Sequence, residues 1–191
     1  MNEHLAPIFK VVIPELDRSG SQYWVYGGVA IAGIKGEFLR SNPDVDLFVM
    51  EDDYAKVIEA IVGLESDLGW RHKDADSERR KKRDWFAPNQ KEDVLSVVPV
   101  FRAGDQIRFV FGRRSYTLQN VLSSEVRTIG GFTFVTPSTA LIKELFLRKA
   151  YSGSHLLDSR IRKMKTDAKV LMRGEEYQKF CTFVESRRKR R

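Results

Sequence analysis

Two aspartates alternate with apolar residues at the mouth of an apolar run, Asp44-Val45-Asp46-Leu47-Phe48-Val49-Met50. In an extended strand successive side chains point to opposite faces, so Asp44 and Asp46 project to the same side. Two carboxylates side by side repel each other unless something positive sits between them. A divalent cation is the usual solution, and Mg²⁺ is typically held by one or two carboxylates plus substrate phosphates. Upstream, the apolar run Tyr23-Trp24-Val25-Tyr26 enters a Gly27-Gly28 step. Neither glycine has a Cβ, so the backbone there can come close to a ligand. The two segments constrain the chain to a strand, a glycine turn, a short helix and a second strand. Together they suggest a site for a metal-bound nucleoside triphosphate.

The rest of the chain predicts a mixed α/β fold. Leu5, Ile8, Phe9, Val12 and Ile13 recur at helical spacing, predicting a helix over 3–18. A strand is expected at 22–26, a short helix through Val29-Ala30-Ile31-Ala32, a strand from Asp44 to Met50, and a helix at 53–64 with Tyr54, Val57, Ile58, Ile61 and Val62 on one face. The segment Arg71 to Arg83, with seven basic and three acidic residues, reads as a loop or a solvated strand start. Strands are expected near 84–87, 92–101 and 106–111, and a hairpin at 126–135 around Gly130-Gly131. Thr136 and Pro137 suit the start of a helix running to about Tyr151, with Leu141, Ile142, Leu145 and Phe146 as its buried face. Two further helices, 156–172 and 175–188, complete a plan of two parts: a core over 1–136 and a basic helical region over 137–191 packed on it.

At 191 residues the chain is long enough for one domain with its own core. The single cysteine, Cys181, excludes an internal disulfide framework and reads as a small core residue. No apolar run reaches membrane-spanning length, and the start of the chain does not look like a secretory signal, so a cytoplasmic location and no membrane partner are expected. The net charge, 33 − 26 = +7, is placed unevenly. From Lys143 onward 15 Lys and Arg face 6 acids, a balance of +9, whereas residues 1–142 carry 18 against 20. That asymmetry, with the tail Arg187-Arg188-Lys189-Arg190-Arg191, favours a polyanionic partner such as RNA or DNA. The three histidines, His4, His72 and His155, show no ligand spacing, and no Walker, Cys-x-x-Cys or Gly-x-Ser-x-Gly pattern occurs.

A third acid would complete a two-metal site, in which attacking and leaving oxygens are both clamped. Asp93 is the candidate, in Glu92-Asp93-Val94-Leu95-Ser96-Val97-Val98, again at the start of an apolar strand. An apolar strand, Gly-Gly, a short helix, an Asp-x-Asp strand and a later strand with a third Asp resemble the nucleotidyltransferase fold shared with DNA polymerase β, over roughly residues 22–100. Among its branches the chain is similar to small prokaryotic members: the antibiotic nucleotidyltransferases and the nucleotidyltransferase toxins of toxin–antitoxin and abortive-infection systems. The resemblance implies a mixed sheet flanked by helices. It implies that Gly27 and Gly28 hold the triphosphate. It also implies that Asp44, Asp46 and Asp93 bind Mg²⁺ or Mn²⁺, with Asp93 activating the acceptor hydroxyl. Arg40 and Asn42 lie where toxin-type members often carry Arg and Ser, and so would help bind the nucleotide.

The later segment Phe134-Val135-Thr136-Pro137-Ser138-Thr139-Ala140-Leu141-Ile142-Lys143 resembles the one where such proteins place an active-site lysine, which implies a phosphate-binding, catalytic role for Lys143. Arg162-Lys163-Met164-Lys165-Thr166-Asp167 resembles their later basic stretch, with Asp167 placed to orient Lys143 or Arg148. The resemblance implies an in-line attack of an acceptor hydroxyl on the α-phosphate of a nucleoside triphosphate, with release of pyrophosphate. Charge favours RNA or tRNA as acceptor, and the resemblance to toxin-type members implies a toxin role with an antitoxin protein as partner. The alternatives are an aminoglycoside or lincosamide acceptor, or a non-catalytic RNA-binding or antitoxin relative.

Overall fold

In the computed structural model, which describes residues 2–74, 82–104, 106–111, 114–118, 122–152 and 156–188, the N-terminal helix is not continuous. A 3₁₀ turn, Glu3–Leu5, is followed by a π-helical turn, Ile8–Val12, and only then by α1 (Ile13–Arg18). Pro14 explains the break with the expected single helix. It lacks the N–H that an α-helix would aim four residues back, and the wide turn lies just before it.

Next come β1 (Tyr23–Tyr26), α2 (Gly27–Lys35), β2 (Val45–Met50), α3 (Glu51–Gly63), α4 (Glu65–Leu68), β3 (Arg71–Asp74), β4 (Arg83–Phe86), β5 (Leu95–Ala103), β6 (Gln106–Phe111) and β7 (Arg114–Leu118). The strands form one mixed sheet in the order β1-β2-β5-β4-β3, and β6 pairs with β5 and β7. β2 and β5 run parallel; the other pairs are antiparallel. A separate hairpin, β8 (Glu125–Ile129) and β9 (Phe132–Thr136), turns at Gly130 and Gly131. Both have positive φ, +55° and +85°, as a tight hairpin turn requires. Three helices close the chain: α5 (Thr139–Tyr151), α6 (Asp158–Leu171) and α7 (Gly174–Ser186). α5 is capped by Ser138, whose hydroxyl accepts the Leu141 N–H at 3.2 Å, rather than by Thr136, which ends β9. β3 opens the segment read as a loop or a solvated strand start, and β7 falls outside the expected strands because polar residues such as Arg114 and Ser115 mask its strand signal.

Period-two alternation gives the sheet two apolar faces. Val25, Val45, Leu47, Val49, Leu95 and Val97 face the N-terminal helical segment and α3 through Leu5, Ile8, Leu16, Val57 and Ile61. The opposite face carries Trp24, Tyr26, Phe48, Met50, Val98 and Val100, is continued on β6 and β7 by Ile107, Phe109 and Leu118, and packs against Leu141 of α5. A third cluster joins α2 to the C-terminal helices through Ile31, Ile142, Ala150, Ile161, Met164 and Phe180. Cys181, expected in a core, is half-exposed on α7 beside Tyr177. Among the described residues no helix is long and apolar enough to cross a membrane. His155 and the tail residues 189–191 lie outside the described residues, as does the middle of the charged segment, 75–81.

Candidate active site at the glycine turn and the head of β2

The register of the sheet aligns the polar residues. Tyr26 on β1 stands opposite Asp46 on β2, Asp46 beside Ser96 on β5, and Ser96 opposite Asp84 on β4. Paired residues share a face, so Tyr26, Asp46, Ser96 and Asp84 form one row across four strands. Asp44 precedes β2, and the Val45 N–H donates to the Val94 carbonyl at 2.9 Å, which fixes the head of β2 against that of β5.

Both glycines are required by their surroundings. Gly27 has φ +73°, and a Cβ there would lie 2.6 Å from Asp46 Oδ2. A Cβ on Gly28 would lie 2.4 Å from Asn42 Oδ1 and 2.5 Å from Arg40 Nη2. The close approach that glycine permits is thus made by Asp46, Asn42 and Arg40. Arg40 donates two hydrogen bonds to Asp167 on α6, from Nε to Oδ1 at 2.9 Å and from Nη2 to Oδ2 at 2.8 Å. Asp167 therefore orients Arg40, and not Lys143 or Arg148 as expected. The loop carrying Arg40 and Asn42 is fastened from the N-terminus. The Asn42 N–H donates to Asn2 Oδ1 at 2.7 Å, and His4 Nε2 bonds the Asn42 and Pro43 carbonyls at 2.9 and 3.2 Å. Both partners are carbonyls, so Nε2 carries the proton. His4, given no role from the sequence, holds the entry to β2.

The carboxylates strain one another. Asp46 is pushed up to about 7, first by burial and then by Asp44, with Lys149 and Lys82 opposing. Asp44 is raised by burial and by Asp93, opposed by Lys149 and Lys82. Asp93 does not share a single point with the pair: among the described residues no three His, Cys, Asp or Glu side chains converge as a metal cluster. Instead Ser96 Oγ lies 2.8 Å from Asp93 Oδ2 and 2.6 Å from Asp84 Oδ1. Lys82 Nζ lies 2.8 Å from Asp84 and 3.8 Å from Asp93. Burial works against the Lys82 ammonium, but Asp84, then Asp46 and Asp93, hold its pKa above the ordinary value. Asp84 and Lys82 were missed in the sequence. Asp84 heads an apolar strand as Asp44 does, but the run of basic residues before it hid the pattern.

Tyr26 stacks on Phe48, ring centroids 3.7 Å apart, and its buried hydroxyl has no hydrogen-bond partner among the described residues. Burial and then Asp46, Asp44, Asp84 and Asp93 push that phenol well above its ordinary value. An orphaned buried donor costs about 1–3 kcal/mol. A cavity of about 220 Å³ opens beside Tyr26, Gly27 and Gly28, with an apolar floor that includes Ile31, Phe109 and Tyr116. Its lining also carries Arg40, Arg148, Lys149, Arg160 and Lys163, against the single acid Asp167. Lys143 is absent from it: its ammonium pairs with Glu176 on α7 at 2.7 Å. Six residues further along α5, on another face of the helix, Lys149 is the lysine of that helix whose charge acts on Asp44 and Asp46.

Oxygen-only donors whose ionisation is resisted by burial and by one another suit a hard divalent ion, so Asp44 and Asp46 fit Mg²⁺ or Mn²⁺. No protein-family model matches the chain, and neither does any curated protein sequence. Solved structures do. The crystal structure of ANT(2'')-Ia in complex with adenylyl-2''-tobramycin is similar at TM-score 0.61 and 16% identity, over 96% of this chain and 98% of that one. Lincosamide antibiotic adenylyltransferase LnuA, lincomycin-bound, is similar at TM-score 0.58 and 18% identity, over 88% of this chain and 97% of that one. An antigenic nucleotidyltransferase-like protein from Paracoccidioides brasiliensis is similar at TM-score 0.51 and 16% identity, over 95% and 86%. The chain has the nucleotidyltransferase fold.

Proposed function

We propose that the protein transfers a nucleoside monophosphate from a nucleoside triphosphate to an acceptor hydroxyl. The observation that carries this reading is the close approach of Gly27, which lines a cavity edged by basic side chains, to Asp46, the buried partner of Asp44, in a nucleotidyltransferase fold. Asp44 and Asp46 would hold Mg²⁺ or Mn²⁺, which when bound neutralises the phosphate charge. The acceptor oxygen forms a bond to the α-phosphorus as the bond to the β-phosphate oxygen breaks. Its proton passes to Asp93, and pyrophosphate leaves toward the positive charges of Lys149, Arg148 and Arg40. Tyr26 offers its unspent O–H to an oxygen of the bound nucleotide or acceptor. Lys143 is not part of this machinery.

An RNA hydroxyl is the acceptor that the charge supports. Four basic side chains from α5 and α6 line the cavity, Arg148, Lys149, Arg160 and Lys163, which suits a polyanion and opposes a polycation such as an aminoglycoside. Two of the structural neighbours were solved with antibiotic ligands, an adenylylated tobramycin and lincomycin, and this is why drug acceptors are the second reading. Incubation with each labelled triphosphate, Mg²⁺ and total tRNA is expected to label RNA, and Asp44→Asn to abolish the labelling. Labelling of an aminoglycoside or lincosamide instead would establish the second reading, and no transfer to either would refute both. A toxin role, with an antitoxin as partner, is tested by growth arrest on expression that Asp44→Asn relieves.

A further inference from the structure

We propose that the Lys82 ammonium is a built-in cation occupying the place of a second metal ion, so that this site takes a single divalent ion at Asp44 and Asp46. The inference rests on the reading of those two aspartates as metal-binding.

In a two-metal site the ions lie about 3.5–4 Å apart, bridged by a shared set of carboxylates. The row Asp46–Ser96–Asp84 does not supply such a set. The position beside Asp46 on β5 is Ser96, a neutral hydroxyl already engaged between Asp84 and Asp93 at 2.6 and 2.8 Å. The two carboxylates that could hold a second ion face Lys82, whose Nζ is 2.8 Å from Asp84 and 3.8 Å from Asp93. Lys82 is three-quarters covered, with 24% of its side chain exposed. A covered ammonium is tolerated only when paired, and these two acids are among its partners.

The charge balance agrees. With all four carboxylates ionised, the form that binds a metal, Asp44, Asp46, Asp84 and Asp93 contribute −4, and Lys82 and Lys149, the cations that act on Asp44 and Asp46, contribute +2. The remainder, −2, matches one divalent ion. A second would leave the cluster at +2 before any phosphate arrived. An ammonium is a compact point charge on a flexible stem. It can neutralise Asp84 and Asp93 without any of the coordination geometry a metal demands.

The test is the stoichiometry of Mn²⁺ binding to the full chain, read by electron paramagnetic resonance and titration calorimetry with the metal alone. The expected result is one Mn²⁺ per wild-type chain, one for Lys82→Arg and one for Lys149→Met. Lys82→Met should take two, with the spectrum of a spin-coupled pair. Lys82→Gln provides the same measurement if the methionine variant fails to fold, folding being checked by circular dichroism. Two ions in the wild type, or one in both Lys82→Met and Lys82→Gln, would overturn the proposal. No ion in the wild type, with Asp44→Asn unchanged, would instead sink the metal reading of Asp44 and Asp46 on which it rests.

Discussion

The pairing of Arg40 with Asp167 makes the sharpest test of how the site is held. Asp167→Ala removes both hydrogen bonds, at 2.9 and 2.8 Å, and leaves a guanidinium whose side chain is only 19% exposed above Gly28. Breaking a buried pair from one side costs about 3–5 kcal/mol, because the remaining charge is uncompensated. Arg40 keeps one bond, from Nη1 to the Ser41 carbonyl at 3.0 Å, and some access to solvent, so the lower end applies, about 3 kcal/mol. For a chain of this size that lowers the melting temperature by roughly 6–12 °C. The assay is urea unfolding followed by circular dichroism on Asp167→Ala, Arg40→Met, Asp167→Leu and the double variant Arg40→Met/Asp167→Leu. Removing both charges should restore most of the loss, with a coupling energy of about 2 kcal/mol or more. A loss under about 0.5 kcal/mol for Asp167→Ala, or strict additivity in the double variant, would refute the view that the bridge pins α6 to the loop before β2.

Gly27→Ala must accept both φ +73° and a Cβ 2.6 Å from Asp46 Oδ2, so it should lose about 2–3 kcal/mol in thermal unfolding, whereas Gly63→Ala, with open space around it, should not. Asp46 has a native pKa of about 7 against 3.8, so between those values the folded state keeps a proton that the unfolded chain has lost. Stability therefore falls as pH rises from about 4 to about 7, by on the order of 3 kcal/mol, and melting curves of Asp46→Asn should lack that slope. Lys149→Ala should reduce nucleotide transfer by roughly 10²-fold, as loss of a charge-stabilising donor does, while Lys143→Ala, which breaks only a half-exposed pair with Glu176, should leave turnover within about twofold; the reverse order in a steady-state assay would return the role to Lys143.

The parts of the fold with a strong period were legible in the sequence. Tyr23 to Tyr26, the Gly27-Gly28 turn, the strand after Asp44 and the helix bearing Val57, Ile58 and Ile61 each carry a pattern that one packing arrangement satisfies. What could not be read was pairing. β4 looks like a minor strand until its register sets Asp84 across from Ser96, and only then do Lys82 and Asp84 join the site. Lys143 and Lys149 lie on one helix among similar apolar neighbours, and which of them faces the carboxylates depends on how α5 packs against α2 and the sheet. Asp167 had several basic residues nearby in sequence, yet its partner, Arg40, is 127 positions away.

One consequence of the sheet order concerns the sequence of events in folding. β1 and β2 pair antiparallel within the first fifty residues, but β2 acquires its parallel partner only when Leu95 reaches Val45. Closing that crossover carries the largest loop entropy within the row, since contacts distant in sequence repay their cost late. On this reasoning Asp46 should be laid down early beside Tyr26, with Ser96 and Asp84 arriving together with β5 and β4. Pulse-labelled amide exchange should show Trp24 and Phe48 protected before Val97 and Val98. A chain interrupted before β5 would display its paired aspartates to water with nothing yet built around them.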